Sequence, residues 1–119
     1  MSPPNSLPYK IQKRIVIAET ADLRVTEMDL APGEFVPWHY HSKVDDTFFC
    51  LEGELQIESP KPGQVLRLKP GDSVTVPTPQ PHRVSNPGSN LCRVVLVQGV
   101  GAYDFIPMKF DPEKSPAPK

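Results

Sequence analysis

The feature that most restricts how this chain can fold is its proline content. Proline occupies 16 of 119 positions, against an average of about 5% in proteins. An interior proline costs a helix about 3 kcal/mol, because it lacks a backbone donor and clashes with the preceding turn. Proline followed by glycine favours a type II turn, in which glycine supplies the positive φ of the third residue. Four such pairs divide the chain: Pro32-Gly33, Pro62-Gly63, Pro70-Gly71 and Pro87-Gly88. The chain is therefore not a helical bundle.

The segments between the turns have the composition of short β-strands. Some of them, such as the one with Val74 and Val76, alternate apolar and polar residues. Short strands separated by turns are typical of an all-β sandwich or barrel. We predict one domain over residues 11–110, a flexible N-terminal segment over 1–10 and a Pro-rich flexible tail over 111–119. The nine segments are 14–19, 23–31, 34–41, 47–53, 54–59, 64–69, 73–77, 82–86 and 91–98.

The charge balance bears on the class of partner. Lysine and arginine number 13, aspartate and glutamate 14, and the formal net charge is −1. This balance argues against an extended surface for nucleic acid or anionic membrane. The N-terminal residues lack the apolar region of a signal peptide, and no apolar run approaches 18 residues. A cytoplasmic protein is expected. Cys50 and Cys92 lie in apolar runs and are expected to be buried free thiols.

Three histidines are the first indication of chemistry. His39 and His41 are two residues apart on one predicted strand, so both side chains point to the same face. His82 begins another predicted strand. A single histidine in a strand is usually structural or exposed, whereas a pair on one face more often has a function. The sequence setting of the third histidine and of a nearby carboxylate decides whether they take part in this function.

That setting resembles the cupin family, through two motifs that together span residues 33–86. The first motif has a glycine, an HxH pair, a carboxylate and a second glycine, here Gly33, His39, His41, Asp46 and Gly53. The family usually has glutamate where this chain has Asp46. The second motif has a glycine, a PxG triplet, a histidine and an asparagine, here Gly71, Pro77, Pro79, His82 and Asn86. Pro79 stands where glycine is usual, and the other spacings fit.

The resemblance implies a single-domain cupin β-barrel of jelly-roll type, built from two antiparallel sheets. It also implies one divalent metal ion per chain (Fe, Mn, Ni, Zn or Cu) in the barrel interior. Imidazole and carboxylate ligands suit these ions, and a site with open positions is catalytic in form. The implied metal ligands are His39, His41, Asp46 and His82.

The identity of the carboxylate leaves alternatives. Asp45 also falls within the family's spacing, but Asp46 preserves the six residues that precede Gly53. Asp46 is one methylene shorter than glutamate, so it must lie nearer the ion or bind through water. Alternatively, Asp46 is an acceptor beside a site of three histidines.

Strand parity predicts the walls of the interior. With His39 pointing inward, Phe35 and Pro37 point inward too. On the last strand, Arg93 is expected to face solvent, so its neighbours Cys92 and Val94 point inward. The predicted substrate pocket comprises Phe35, Phe48, Cys50, Cys92 and Val94, and the alternative is that these residues form only the barrel core.

The same parity turns an apolar set outward: Val36, Trp38, Tyr40, Phe49 and Leu51. Soluble monomers seldom leave such a patch bare. A homodimer is therefore expected, in agreement with the pairing common among related cupins. The alternative is that residues 14–19 or 105–110 of the same chain cover the patch.

The expected function is that of a metal-dependent enzyme acting on a small oxygen-rich substrate, such as a keto acid, hydroxy acid, diketone or diol, chelated to the ion. Dioxygenase and isomerase or lyase chemistry both remain open, as does a non-catalytic module that binds a metal or small ligand. A purely structural barrel is disfavoured, since a core would prefer apolar residues at the histidine positions. No acid–base residue is fixed, and the polar candidates are Arg83, Tyr103 and Asp104.

Overall fold

The computed structural model describes residues 9–60 and 64–108. Across these residues the chain forms ten strands and no helix, so none of the described segments is a helix that could cross a membrane. Residues 1–8 and 111–119, which carry most of the predicted flexible ends, lie outside the described residues. The strands are β1 (Lys13–Glu19), β2 (Leu23–Leu30), β3 (Phe35–Tyr40), β4 (Asp45–Glu52), β5 (Leu55–Glu58), β6 (Val65–Leu68), β7 (Ser73–Val76), β8 (His82–Ser85), β9 (Cys92–Gly99) and β10 (Ile106–Pro107).

The strands form two five-stranded antiparallel sheets, which confirms the predicted all-β fold. The first sheet has the order β1-β2-β9-β4-β7 and the second the order β10-β3-β8-β5-β6. The inward faces of both sheets enclose one apolar core, which includes Leu30, Phe48, Leu55 and Val84. Consecutive strands often lie in different sheets, so residues far apart in sequence meet in the interior.

Two of the Pro-Gly pairs form the predicted type II turns. The Glu34 N–H donates to the Ala31 carbonyl at 3.0 Å, across a turn in which Gly33 has φ +84°. The equivalent turn at Gly71 has φ +95°. The third pair, 62–63, lies outside the described residues. The prediction is wrong for Gly88, whose φ is not positive, because its N–H donates at 2.9 Å to the side chain of Asn86.

A bulge in β3 reverses the parity predicted for that strand. Val36 is opposite Val84 and His39 is opposite His82, so β3 carries one residue more than β8 between these pairs. An extra residue shifts the alternation of side chains by one. The prediction that Phe35 points inward is therefore wrong: its side chain is 41% exposed, and Val36 is buried in its place.

The predicted outward patch is not a single surface either. Trp38 and Tyr40 belong to β3 in the second sheet, whereas Phe49 and Leu51 belong to β4 in the first. Trp38 is only 5% exposed, while Phe49 and Leu51 are 42% and 52% exposed. On the first sheet, Phe49 of β4 lies opposite Val95 of β9. Val95 also lies opposite Glu27 of β2, and Glu27 lies opposite Ile15 of β1. Ile15 and Phe49 are thus exposed at the two ends of a row on the outer face of the first sheet, in which Val95 is half-buried and Glu27 is charged. The homodimer stays a prediction.

Candidate metal centre

Four buried side chains meet where the two sheets face each other. His39 in β3 is the cross-strand partner of His82 in β8, and Asp46 comes from β4 in the opposite sheet. His41 follows directly after β3. One potential ligand atom from each residue lies within 4.8 Å of all the others. The structure thus brings together the four residues that the two motifs predict as metal ligands.

Each imidazole is oriented by a backbone carbonyl. A carbonyl oxygen only accepts hydrogen bonds, so the Nδ1 atom beside it carries the hydrogen. The remaining nitrogen, Nε2, then presents a lone pair in the neutral ring, as in metal-binding histidines held by an outer hydrogen bond. The three Nδ1–carbonyl pairs are His39 with Pro37 at 2.7 Å, His41 with Asp104 at 2.5 Å and His82 with Gln80 at 2.9 Å.

These lone pairs face a carboxylate oxygen, which is the strongest structural argument for a cation. The Nε2 atoms of His41 and His82 lie 2.9 Å and 3.0 Å from the same Asp46 oxygen, Oδ2. Acceptors that face one another in a buried site repel unless a proton or a metal ion lies between them. One proton satisfies one such contact, whereas one divalent ion satisfies all of them. The donor set of imidazole nitrogens and carboxylate oxygen therefore fits a first-row divalent ion.

The protonation equilibria agree with this arrangement. Burial, together with the nearby rings of His82 and His41, lowers the pKa of His39 to about 3, so that ring is neutral. Burial also lowers the pKa of His41, but the hydrogen bond and charge of Asp46 outweigh it and raise the pKa above its ordinary value of 6.5. Burial opposes ionisation of Asp46, yet its bonds to the two histidines hold its pKa well below the usual range.

The structure separates Asp46 from Asp45. The Gln98 amide donates to Asp46 Oδ1 at 3.0 Å, which fixes the carboxylate with its other oxygen toward the histidines. Asp45 Oδ1 instead accepts from the Thr78 backbone N–H at 2.9 Å. The geometry agrees with the choice of Asp46 from its spacing to Gly53, and its role as a ligand stays a prediction.

Other motif residues hold the frame. The Asn86 amide donates to the carbonyls of Leu30 and Asn90, at 2.8 Å in each case. Gly53 has φ +72°, and a Cβ there would lie 2.3 Å from the Leu91 carbonyl oxygen. A larger residue at this position would therefore displace backbone rather than a flexible side chain.

His39, His41 and Asp46 line a cavity that is partly open to solvent, and His82 is not among its wall residues. Phe48 lines it, as predicted, but Phe35 does not. Cys50, Cys92 and Val94 are buried in the apolar core instead, and neither cysteine forms a disulfide. The cavity walls are Tyr9, Arg14, Thr26, Met28, Val36, His39, His41, Asp46, Phe48, Val84, Leu96, Gln98, Tyr103 and Phe105.

Of the acid–base candidates, only Tyr103 lines the cavity. The Asp104 side chain accepts from the Ser42 backbone N–H at 2.9 Å and from the Ser42 hydroxyl. Arg83 pairs with Glu58 at 2.7 Å on the outside of the second sheet. Both residues are thus committed to contacts away from the cavity.

The sequence reasoning missed several wall residues. Gln98 could have been found by continuing the parity of β9 two residues beyond Leu96, since both point inward. Phe105 stacks on His39 with ring centroids 4.4 Å apart, but it follows an irregular segment with no period to read. Arg14 and Thr26 reach the cavity only because β1 and β2 lie at one edge of the first sheet.

Comparison with known proteins agrees with the motifs. The cupin domain family model matches residues 26–98. The chain is 37% identical over 69 residues to the tetracenomycin polyketide synthase protein TcmJ of Streptomyces glaucescens, covering 58% of this chain and 45% of that protein. It is 38% identical over 50 residues to quercetin 2,3-dioxygenase of Bacillus subtilis, covering 42% of this chain and 14% of that enzyme. The chain thus spans less than half the length of either curated relative.

A solved structure supports the fold over nearly the whole chain. An uncharacterized conserved protein with a double-stranded β-helix domain from Klebsiella pneumoniae superposes with a TM-score of 0.72. The two chains are 28% identical, and the match covers 91% of this chain and 90% of the other.

Proposed function

Because the chain belongs to the cupin family, we propose that it is a metal-dependent enzyme that acts on a small, oxygen-rich organic molecule. The observation that carries this proposal is the cluster of three histidines and one carboxylate, of which His39, His41 and Asp46 line a cavity. A six-coordinate ion held by these four protein ligands would keep two positions for substrate oxygens. A keto acid, hydroxy acid, diketone or diol has the paired oxygens that suit such positions.

The residues that would hold the ion are His39, His41, His82 and Asp46. When bound, a divalent ion supplies Lewis-acid polarisation of a substrate oxygen or, if it is redox-active, chemistry with dioxygen. The chain orients the ligands through backbone carbonyls and Gln98, and its apolar walls exclude water from the substrate. These walls make electrostatic interactions inside the cavity stronger than they are in water.

Tyr103 is the proposed proton donor of the cavity. Its ring lies 5.5 Å from the His41 ring, measured between centroids. Burial raises the pKa of Tyr103, and the charge of Arg24 only partly opposes this effect. The phenol is therefore protonated at neutral pH and is suited to donate a proton or a hydrogen bond to substrate.

Oxygen uptake and anaerobic turnover test the proposal. Protein loaded in turn with iron, manganese, nickel, zinc and copper is given a panel of diketones, catechols and keto acids, with His39→Ala as the matched control. Oxygen consumption that the control lacks supports a dioxygenase, as the name of the Bacillus relative suggests. Turnover without oxygen supports an isomerase or lyase. Tight binding without turnover of any compound would contradict the enzyme proposal and favour a non-catalytic binding module.

For the partner of the chain, we propose a second copy. A row of Ile15, Glu27, Val95 and Phe49 crosses the first sheet on the side opposite the cavity. Its apolar members and the exposed Leu51 form the contact surface, and Glu27 is already paired with Arg93. Burying this row between two copies removes apolar surface from water without obstructing the metal cluster.

A further inference from the structure

One arginine differs from all the others in the chain. Each of the other four has an acidic or amide partner: Arg67 with Gln56, Arg83 with Glu58, and Arg93 with Glu27, Asp29 and Glu52. Arg24 pairs with Glu19 at 3.9 Å, although its buried Nε has no hydrogen bond. Arg14 has neither an ion pair nor a side-chain hydrogen bond to any described residue, and it lines the cavity. Arg14 is half-buried as a residue, and its guanidinium offers five donors without an acceptor among the described residues, so it favours an anionic ligand.

A second unsatisfied group lies on the same wall. The Thr26 side chain is 1% exposed, and its hydroxyl has no hydrogen-bond partner within the described residues. Thr26 also lines the cavity. A buried hydroxyl without a partner destabilises the fold, so its presence on a cavity wall points to a ligand that supplies the missing bond.

The strand register places these two groups side by side. Val16 is the cross-strand partner of Thr26, and Arg14 is the partner of Met28. Arg14 and Thr26 are therefore diagonal neighbours on the inner face, about 7–8 Å apart at the backbone, which the long arginine side chain spans. They belong to β1 and β2, whereas the histidines come from β3, β8 and the residue after β3. The cavity thus has metal ligands on one side and an unpaired cation with an unpaired hydroxyl on another.

We infer that Arg14 and Thr26 form a carboxylate-binding subsite, so that the substrate is an organic acid whose carboxylate lies at the opposite end from its metal-binding oxygens. Arg14 pairs with this carboxylate, and the Thr26 hydroxyl donates a hydrogen bond to the same end of the molecule. Among the described residues, Asp46 is the only carboxylate of the cavity walls, so no other described acidic side chain there repels the ligand near Arg14. This inference rests on the proposed function, because it uses the metal to hold the other end.

Pairs of keto acids that differ only at the distal end provide the test. The probes are 2-oxoglutarate and 2-oxoadipate, with 2-oxopentanoate and 2-oxohexanoate as partners in which a methyl group replaces the distal carboxylate. Calorimetry measures their binding to protein loaded with zinc, which is redox-inactive, and to the metal-free protein. A charge-assisted contact predicts that at least one diacid binds about tenfold or more tightly than its partner.

The variants assign the preference to its residues. Arg14→Gln should abolish the preference, and Arg14→Lys should restore part of it. Arg83→Gln, which removes the same charge outside the cavity, should leave the preference intact. The absence of a diacid preference at both chain lengths, or its persistence in Arg14→Gln, would overturn the subsite.

Thr26→Val separates a binding role from a structural one. It removes the unpaired hydroxyl while keeping the shape of the side chain, so we expect a higher Tm without ligand and weaker binding of the preferred diacid. A lower Tm with unchanged binding would contradict the role of Thr26. A diacid that keeps its preference and binds the metal-free protein as tightly as the zinc-loaded protein would support the subsite and contradict chelation, so the two proposals can fail separately.

Discussion

The two ends of the barrel interior are equally buried and chemically opposite. At the site end, the inward residues of neighbouring strands β4 and β9 are Asp46 and Gln98, which face each other. At the closed end, the same strands carry Cys50 opposite Val94, and farther along Leu30 of β2 lies opposite Cys92. The inward side chains therefore change from ionisable or polar to apolar along each strand, within two or three pleats.

This contrast shows that one end of the domain interior stabilises the fold and the other end carries the functional groups. Apolar side chains at the closed end contribute the free energy of folding, about 1.5–3 kcal/mol for each large residue fully buried. Ionisable and polar groups at the site end oppose folding unless a partner satisfies them. The Asn86 and Gly53 contacts lie with the closed end, where they support a rigid frame.

The largest expected effect on stability lies at the closed end. Leu30→Ala should lower the free energy of unfolding by about 2–5 kcal/mol, because the side chain is fully buried and leaves a cavity. Metal stoichiometry at low temperature should not change. Leu66→Ala, at an exposed position, is the control. Denaturant unfolding measures both variants, and equal losses would contradict the division between the ends.

The next largest effect tests whether Asp46 or Asp45 is the carboxylate ligand at the site end. Asp46→Asn keeps the size of the side chain but removes its charge. Metal affinity should fall by at least about tenfold, since even the loss of an outer hydrogen-bond partner of a metal ligand has an effect of this size. Asp45→Asn should leave metal affinity nearly unchanged, because Asp45 caps the Thr78 N–H. Competition with a chelator measures the dissociation constants. Equal or reversed losses would contradict the choice of Asp46.

The pH dependence should also distinguish the site end. The pKa of His41 is raised by Asp46, so a bound metal must displace its proton. Metal affinity should fall by about tenfold for each pH unit below that pKa and level off above it. His39 adds no dependence until pH falls to about 3. A metal affinity that is flat between pH 5 and 8 would contradict the assignment of His41.

Without metal, His41 gives the opposite trend for the stability of the fold, and Asp46 limits that trend at low pH. The stabilisation from the raised pKa of His41 is fully present below its ordinary value of 6.5 and is lost as pH rises through the folded pKa. The stabilisation from the lowered pKa of Asp46 is present above the ordinary aspartate pKa of 3.8 and is lost as pH falls through the folded pKa. Thermal unfolding of the metal-free protein at several pH values checks this window.

The smallest effect concerns the outer surface rather than the interior. Phe49→Glu should shift a dimer toward monomer while leaving metal content unchanged. Phe35→Glu is the matched control, since Phe35 is similarly exposed but lies on the other sheet. Light scattering at micromolar concentration gives the mass. A wild-type mass near 13.2 kDa would contradict the homodimer.

Much of this arrangement was predictable, and the exceptions have physical reasons. All nine predicted segments contain a strand, because alternation and turn residues are local signals. Phe35 was mispredicted because β3 accommodates an extra residue against β8 between Val36 and His39. Pro37, which lies there, is the local signal of this bulge, since proline within a sheet is confined to edges and bulges. Strand β10 has only two residues and no readable pattern. Arg14 and Thr26 depend on which strands become neighbours, which parity within one strand does not reveal.

Elemental analysis of protein purified without a histidine tag or chelating resin tests the central claim most directly. After dialysis against each candidate ion and removal of excess, the wild-type chain should retain about one equivalent of a divalent first-row metal. His39→Ala should lose most of it, because one of three inward Nε2 ligands is gone. Near-full occupancy in His39→Ala, or a wild-type chain that retains none of these ions, would contradict the metal centre.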